Sequence, residues 1–320
     1  MPDDQRIGNA TPATATFLQD VLAGLGATPK SLNPKYFYDA EGSRLFEEIC
    51  NLPEYYVTRT ETALLTRVVK EIASSIPAGA ALVEFGSGAS SKTGLLLDAA
   101  PHIDLYVPID ISVSALEGAV SSLAATHPAL RVVPLVQDFT QALSVEATVP
   151  DRPLMGFFPG STIGNLLPEE AEAFLRRARH LLGADARFLI GADLVKPTTE
   201  LLAAYDDAQG VTATFNLNVL RRINRELGAT FDLDGFRHQA RWNAGHSRIE
   251  MHLVSRRQQL VRIGDRLLSF DKDESIHTEN SHKYTPTAFA ALAEDAGWRV
   301  ARHWINPAPA FGLFLLTTAE

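Results

Sequence analysis

The run Val83-Glu84-Phe85-Gly86-Ser87-Gly88 follows a short apolar segment and precedes a helical pattern. Glycines at a strand-to-helix turn let the main chain come close to a ligand, at the strand end where open α/β sheets bind ligands. A Gly-x-Gly turn is equally often only a tight turn, so its context decides. The third glycine of a dinucleotide fingerprint would fall at Ser91, which weakens a nicotinamide reading. Asp110 closes the next strand-like run, about 20 residues on, where a carboxylate can accept from both hydroxyls of a ribose. Gln137-Asp138-Phe139 closes a third run and offers an acceptor for an adenine amino group beside an aromatic face. Lys92 could reach a ligand carboxylate, and it equally suits a solvated helix position. Either acid alone also fits a helix cap or a loop end. Three such features in order point to a nucleoside ligand.

A second group of residues has too specific a pattern for generic structure. It comprises Lys35-Tyr36-Phe37-Tyr38-Asp39, Leu52-Pro53-Glu54-Tyr55-Tyr56 with Thr58-Arg59-Thr60-Glu61, Phe158-Pro159-Gly160-Ser161-Thr162-Ile163-Gly164-Asn165, Ala204-Tyr205-Asp206-Asp207-Ala208 and Glu279-Asn280-Ser281. Taken singly, the tyrosines also fit core or rim positions, Asn165 a turn, and Glu279 a solvated acid in a loop spanning Thr278 to Lys283. His277 and His282 flank Glu279, but no Cys or further His motif supports them, and no metal is expected. The sequence holds no His-Glu-x-x-His, Cys-x-x-Cys or Gly-x-Ser-x-Gly motif.

These residues need a frame. Leu64, Leu65, Val68, Val69 and Ile72 recur at helical spacing within Glu61–Ile76. Strand-like runs follow at Ala81–Phe85, Leu105–Ile109, Arg131–Val136, Leu154–Phe158 and Arg187–Ala192, with helical patterns at Val113–Ala125 and Glu169–Leu182 between them. Such alternation predicts a parallel sheet with helices on both faces. The rhythm changes after Val195. Helical stretches at Leu201–Ala208 and Phe215–Leu227 lead into strands near Arg248–Ser255 and Gln259–Ile263, which predicts an α+β insertion. A last helix, Thr287–Ala296, precedes Trp298–Ile305 and Ala310–Thr317, which complete the sheet as an antiparallel edge pair.

Composition narrows the partners. With 29 Lys and Arg against 38 Asp and Glu, the formal charge is −9, so a polyanion meets net repulsion. The densest basic stretch, Arg256 to Arg262, is broken by glutamines and apolar residues and reads as a solvated strand edge. No apolar run approaches the roughly 20 residues that span a bilayer. Cys50 is the single cysteine, so an intrachain disulfide is impossible and a reducing cytoplasm fits. Neither nucleic acid nor membrane is expected as a partner.

The order Glu84, Gly86-x-Gly88, Asp110 and Asp138-Phe139 resembles class I S-adenosylmethionine-dependent methyltransferases. That resemblance implies a Rossmann-like sheet and S-adenosyl-L-methionine as cofactor, contacted by Gly86, Lys92, Asp110, Asp138 and Phe139. The second group of motifs resembles the L-histidine Nα-methyltransferases of ergothioneine biosynthesis, from about Lys30 to Leu316. In such enzymes Tyr55, Asn165 and Tyr205 would hold the substrate's amino-acid backbone, with Gly160 at the amino group. Tyr38 would lie near the methylated amine, so Tyr38 and Asn165 are the implied catalytic residues. Glu279 and Ser281 would grip the imidazole, and Met251 would pack on it. The resemblance also implies a cofactor domain of 60–195 and 286–320 and an α+β substrate domain of 13–59 and 196–285, after a flexible 1–12. The expected protein is a cytoplasmic monomer that converts L-histidine to its trimethylated form. Two alternatives stand beside it: N-methylation of another small amino acid or amine, and a non-catalytic regulator that keeps the cofactor fold.

Overall fold

The computed structural model describes residues 12–88, 91–141, 143, 149 and 152–319. The expected flexible terminus falls outside them, Pro12 excepted. The chain forms two compact units: one comprises Glu47–Tyr205, Trp242–Ile249 and Asn280–Glu320, the other the chain up to Phe46, Asp206–Arg241 and Glu250–Glu279.

The larger unit is built on one sheet. Its order runs Trp298–Pro307, Ala310–Thr318, Arg187–Asp193, Leu154–Phe158, Ala81–Phe85, Leu105–Asp110 and Arg131–Val132, with Leu135–Val136 also on Leu105–Asp110. The strand Ala81–Phe85 pairs in parallel with Leu105–Asp110 (Phe85 opposite Ile109) and with Leu154–Phe158. Ala310–Thr318 is antiparallel to both its neighbours, with Phe311 opposite Asp193. It therefore lies inside the sheet, with Trp298–Pro307 at the edge. Helices cover both faces, and the central strands are accordingly buried along their whole length: every residue of Ala81–Phe85 and of Leu154–Phe158 is buried, and Glu84 alone among them is charged. The expected strand Arg131–Val136 is instead two short pieces, because Pro134 between them has no N–H for the ladder.

The helix Pro168–Leu182 shows how local sequence fixes this frame. Proline opens it, Glu169 and Glu170 face the positive end of its dipole, and Arg179 and His180 close it. Glu170 also accepts from the N–H of Leu167 at 2.8 Å. Its apolar stripe of Ala171, Phe174, Leu175, Ala178 and Leu182 is buried. Phe174 stands edge-on to Phe85 at 5.4 Å and tilted against Phe158 at 4.6 Å, directly below the glycine turn.

The smaller unit carries most of a sheet ordered Lys30–Ser31, Ser275–His282, Arg248–Ser255, Phe236–Asn243, and a hairpin of Gln259–Ile263 with Arg266–Phe270. Here the Lys35–Asp39 motif finds a packing role. Phe37 stacks on Phe215 at 4.6 Å, the Tyr36 hydroxyl donates to Asp20 at 2.5 Å, and Asp39 accepts from Asn218 at 2.8 Å and from Arg225 at 2.7 Å. The motif thus ties the N-terminal region to the helix Val211–Leu227. One expectation fails here: the segment around Glu279 is no loop but the strand Ser275–His282. Its buried residues include Thr278, Glu279, Ser281 and His282, so no apolar alternation marks it.

Candidate functional site

The carboxyl ends of four parallel strands carry Gly86, Asp110, Gly160 and Asp193 or the turns that hold them. Gly86 has φ +65°, and a Cβ there would stand 3.3 Å from the Phe139 ring. Only glycine suits that backbone and that contact. Asp110 Oδ2 accepts from the N–H of Gly88 at 2.9 Å, and Oδ1 from that of Ser112 at 2.9 Å. The carboxylate is therefore oriented by the glycine turn it faces. Asp138 is fixed in the same manner, with Oδ1 accepting from the N–H and the hydroxyl of Thr140 at 2.9 and 2.5 Å. Phe139 packs edge-on against Phe158 and Phe174, 5.4 and 5.7 Å away. A glycine turn, two anchored carboxylates and a supported ring fit a nucleoside with its ribose and base.

Lys92, also expected at the cofactor, makes an ion pair within the chain. Its ammonium is paired with Glu61, whose side chain is fully buried. Glu61 also accepts from the N–H of Gly160, at 3.0 Å from Oε1 and 2.8 Å from Oε2. Lys92 Nζ would stand 3.7 Å from a Cβ on Gly160, so the helix Ser91–Ala99 and the turn at Gly160 meet at this carboxylate. Space for Glu61 comes from Gly191, where a Cβ would fall 1.9 Å from Oε1.

Beside this pair lies a second buried network. Lys283 Nζ donates to the Tyr205 hydroxyl at 2.9 Å and to Ser281 Oγ at 2.8 Å, and it lies 2.8 Å from Asp193 Oδ2. The Tyr205 and Ser281 hydroxyls are 2.6 Å apart. Asp193 also takes the Tyr56 hydroxyl at 2.6 Å and is paired with Lys196. Burial alone would protonate Asp193, but the ammoniums of Lys283 and Lys196 hold its carboxyl below the ordinary range. Burial likewise opposes charge on Lys283, and Asp193 outweighs it, so that amine is held above its usual value. Lys196 is brought down to about 8, by burial first. Burial raises the Tyr205 hydroxyl, which stays protonated at neutral pH.

The remaining residues of this unit are positioned by the same elements. Tyr55 stands edge-on to Tyr205 at 6.2 Å. Arg59 donates to the carbonyls of Leu52, Pro53 and Tyr55 at 2.5, 2.7 and 3.1 Å, and so clamps the turn that presents Tyr55. Asn165 ends the 3-10 turn Thr162–Asn165, which His282 Nδ1 holds by donating to the carbonyl of Gly164 at 2.9 Å. Ser161 precedes it at φ 57°, with Oγ accepting from the N–H of Asp193 at 2.9 Å.

In the smaller unit, the Tyr38 ring is edge-on to Phe46 and Phe215, each 5.9 Å away. Met251 and Glu279 are buried, and the Met251 carbonyl accepts from Thr278 at 3.0 Å. Thus Tyr55, Tyr205 and Ser281 come together, as do Lys92 and Gly160, within the larger unit. Tyr38, Met251 and Glu279 belong to the smaller one. Sequence reasoning quoted Glu61 and Tyr56 without giving them roles and missed Asp193, Lys196 and Lys283. Lys283 directly follows the Ser281-His282 pair, which was the available signal.

Comparison with known proteins agrees with this geometry. Residues 17–318 match the family described as "Histidine-specific methyltransferase, SAM-dependent". The chain is 45% identical over 311 residues to the histidine N-alpha-methyltransferase of Mycolicibacterium smegmatis, covering 96% of each. It is 31% identical to ergothioneine biosynthesis protein 1 of Neurospora crassa, over 91% of this chain and 34% of that one. The CcbJ methyltransferase of Streptomyces caelestis shares the fold, with a TM-score of 0.50 at 16% identity over 80% of this chain and 95% of that one. A Rossmann-like sheet with an anchored nucleoside cradle and a full-length family match leave one assignment: the chain belongs to the histidine-specific, S-adenosylmethionine-dependent methyltransferases.

Proposed function

We propose that the protein methylates the α-amino group of L-histidine up to Nα,Nα,Nα-trimethylhistidine (hercynine), a step of ergothioneine biosynthesis, as a cytoplasmic monomer without nucleic-acid partners. Family membership supports the reaction class. The observation that carries the substrate is the buried network around Asp193. Two ammoniums, Lys196 and Lys283, face the single carboxylate of Asp193. Glu200 also acts on Lys196, and Lys283 donates to the Tyr205 hydroxyl, so Tyr205 is the group this network orients for an amino-acid carboxylate.

Gly86, Lys92, Asp110, Asp138 and Phe139 are the residues suited to hold S-adenosylmethionine, which when bound supplies an electrophilic methyl group on a sulfonium. What the chain then does is align and desolvate the amine. Tyr55, Asn165 and Tyr205 hold the substrate backbone. The Gly160 N–H is committed to Glu61, so its carbonyl is the atom left to accept from the amine. The amine attacks only without its extra proton, which a water or the Tyr38 hydroxyl relays to solvent. Glu279 accepts from the imidazole N–H, Ser281 serves the other ring nitrogen, and Met251 packs on the ring. No metal takes part in this scheme.

The test is mass analysis after incubation with S-adenosylmethionine and each of the twenty amino acids in turn. Trimethylated histidine, with little product from leucine or phenylalanine, is the expected result. Monomethyl histidine alone at long times with excess cofactor overturns the trimethylation, and preference for another amine overturns the substrate.

A further inference from the structure

We propose that Glu250, His252 and His277 form a binding site for a divalent transition-metal ion such as Zn²⁺, separate from the methyl-transfer machinery. One ligand atom from each residue lies within 4.8 Å of the others. Glu250 and His252 stand two apart on the strand Arg248–Ser255 and so project from one face. His277 joins them from the neighbouring strand Ser275–His282. The Glu250 Oε2 to His252 Nε2 distance is 3.1 Å. Bonds of about 2.0–2.1 Å in a tetrahedral site set ligand atoms roughly 3.3 Å apart, so small side-chain adjustments complete the geometry.

Two further observations point to a ligand here rather than a packed pair of rings. His277 Nε2 lies 3.0 Å from the main-chain oxygen of Glu279. A carbonyl only accepts, so Nε2 carries the proton and Nδ1 keeps a lone pair. That is the outer hydrogen bond by which metal-bound histidines are oriented. His252, buried to 6% exposure, turns its Nε2 to the Glu250 carboxylate, so that nitrogen is the one it offers an ion. The two rings stack at 4.9 Å with 20° between planes, so neither is splayed away. Glu250 and His277 are only half-buried, which leaves the ion a way in.

Two imidazoles and one carboxylate suit Zn²⁺, Co²⁺ or Ni²⁺ rather than Mg²⁺ or Ca²⁺, which prefer all-oxygen shells. Arg241, on the adjoining strand Phe236–Asn243, donates to Gln239 at 2.9 Å and acts on His252 as a like charge. Its cation opposes an incoming dication and so weakens the site. The ion would bridge two strands of this sheet, one of which carries Glu279.

The experiment titrates untagged full-length protein with Co²⁺ and with Zn²⁺, in buffer free of histidine because histidine chelates both. Visible absorption of bound Co²⁺ reports nitrogen and oxygen ligation, and calorimetry reports stoichiometry. Expected are one equivalent bound, and weakening by about tenfold or more in Glu250→Gln and in His277→Gln. Thermal melting of each metal-free variant verifies folding, and Glu250→Gln, at a half-buried position, keeps the test open if the histidine variant unfolds. Wild type taking up no metal at millimolar Co²⁺, or both folded variants binding as tightly as wild type, overturns the site.

Discussion

The ammonium of Lys283, fully buried, donates to the hydroxyl of Tyr205 across 2.9 Å. With its three N–H groups it also serves Ser281 and Asp193, so one side chain sets the position of two hydroxyls proposed to face substrate. Lys283→Met keeps the length and removes the charge. Removing one partner of a buried pair costs about 3–5 kcal/mol, and Lys196 still neutralises Asp193, so the loss in urea unfolding should sit near the lower limit. Histidine kcat/KM should fall about tenfold or more, for a lost charged hydrogen bond of roughly 1.5–3 kcal/mol. Cofactor affinity should be unchanged. A variant with wild-type histidine efficiency would remove Lys283 as a positioning residue.

Glu84 supplies a pH dependence. It is fully buried, and burial pushes its carboxyl up to about 7 against hydrogen bonds from Thr93 and Tyr106. In the unfolded chain it titrates near 4.5. Below that value both states hold the proton and the site carries no penalty. Between 4.5 and 7 the unfolded chain releases its proton first, so stability falls with rising pH and levels off above about 7. The whole interval amounts to about 3 kcal/mol at 1.36 kcal/mol per unit. Glu84→Gln keeps an acceptor for both hydroxyls and escapes the loss. Urea unfolding should show the variant more stable than wild type at pH 8, with the gap closing towards pH 4. A variant less stable at pH 8 would show Glu84 to be ionised there without penalty.

Asp110 is held by the N–H groups of Gly88 and Ser112, which orients it for a ribose. Asp110→Ala removes a charged acceptor worth roughly 1.5–3 kcal/mol. Calorimetry with S-adenosylmethionine should record a loss in affinity of about tenfold or more in a folded protein. Equal affinity in both proteins excludes Asp110 from the cofactor site.

Gly191→Ala tests the pairing of Glu61 with Gly160. The added methyl would stand 1.9 Å from Glu61 Oε1, so the carboxylate must withdraw from the Gly160 N–H and from Lys92. Overpacking of this kind costs about 1–3 kcal/mol. Methyl transfer should fall further than stability alone accounts for, measured as kcat/KM well below the melting temperature. Glu61→Asp in the same chain shortens the side chain by one methylene and should restore part of the stability. Additive losses in the double variant would mean that the two positions do not meet.

These residues differ in how far the sequence discloses them. Gly86, Asp110 and Asp138 stand at the ends of apolar runs, and a parallel sheet brings such ends to one edge, so their neighbourhood was readable from local pattern. The Glu61–Gly160 contact joins residues 99 positions apart, and nothing local in either segment announces the other. Lys283 and Asp193 are buried ions from segments far apart in the chain, a pairing that only the finished fold reveals. The strand Ser275–His282 escaped because its inward side chains are polar. It is the kind of exception expected where a sheet carries chemistry rather than core.

That strand also carries the sharpest test of the substrate. Neutral imidazole presents one N–H donor and one nitrogen acceptor, and a selective pocket must meet both. Glu279 is buried, and alternation puts its side chain and that of Ser281 on one face of the strand Ser275–His282. Glu279→Ala removes the proposed acceptor for the N–H and replaces it with a methyl group. Histidine kcat/KM should drop about ten- to a hundredfold, the equivalent of roughly 1.5–3 kcal/mol. Tryptophan, which cannot satisfy a buried carboxylate and a hydroxyl as imidazole does, should lose much less or improve, because a polar pocket rejects poorly matched rings most strongly. S-adenosylmethionine affinity should hardly change, since the residues proposed to hold it all lie elsewhere in the chain. The measurement is kcat/KM for both amino acids in wild type and variant. Equal histidine efficiency in the two proteins would sink the imidazole assignment, and with it the strongest residue-level reason for naming histidine.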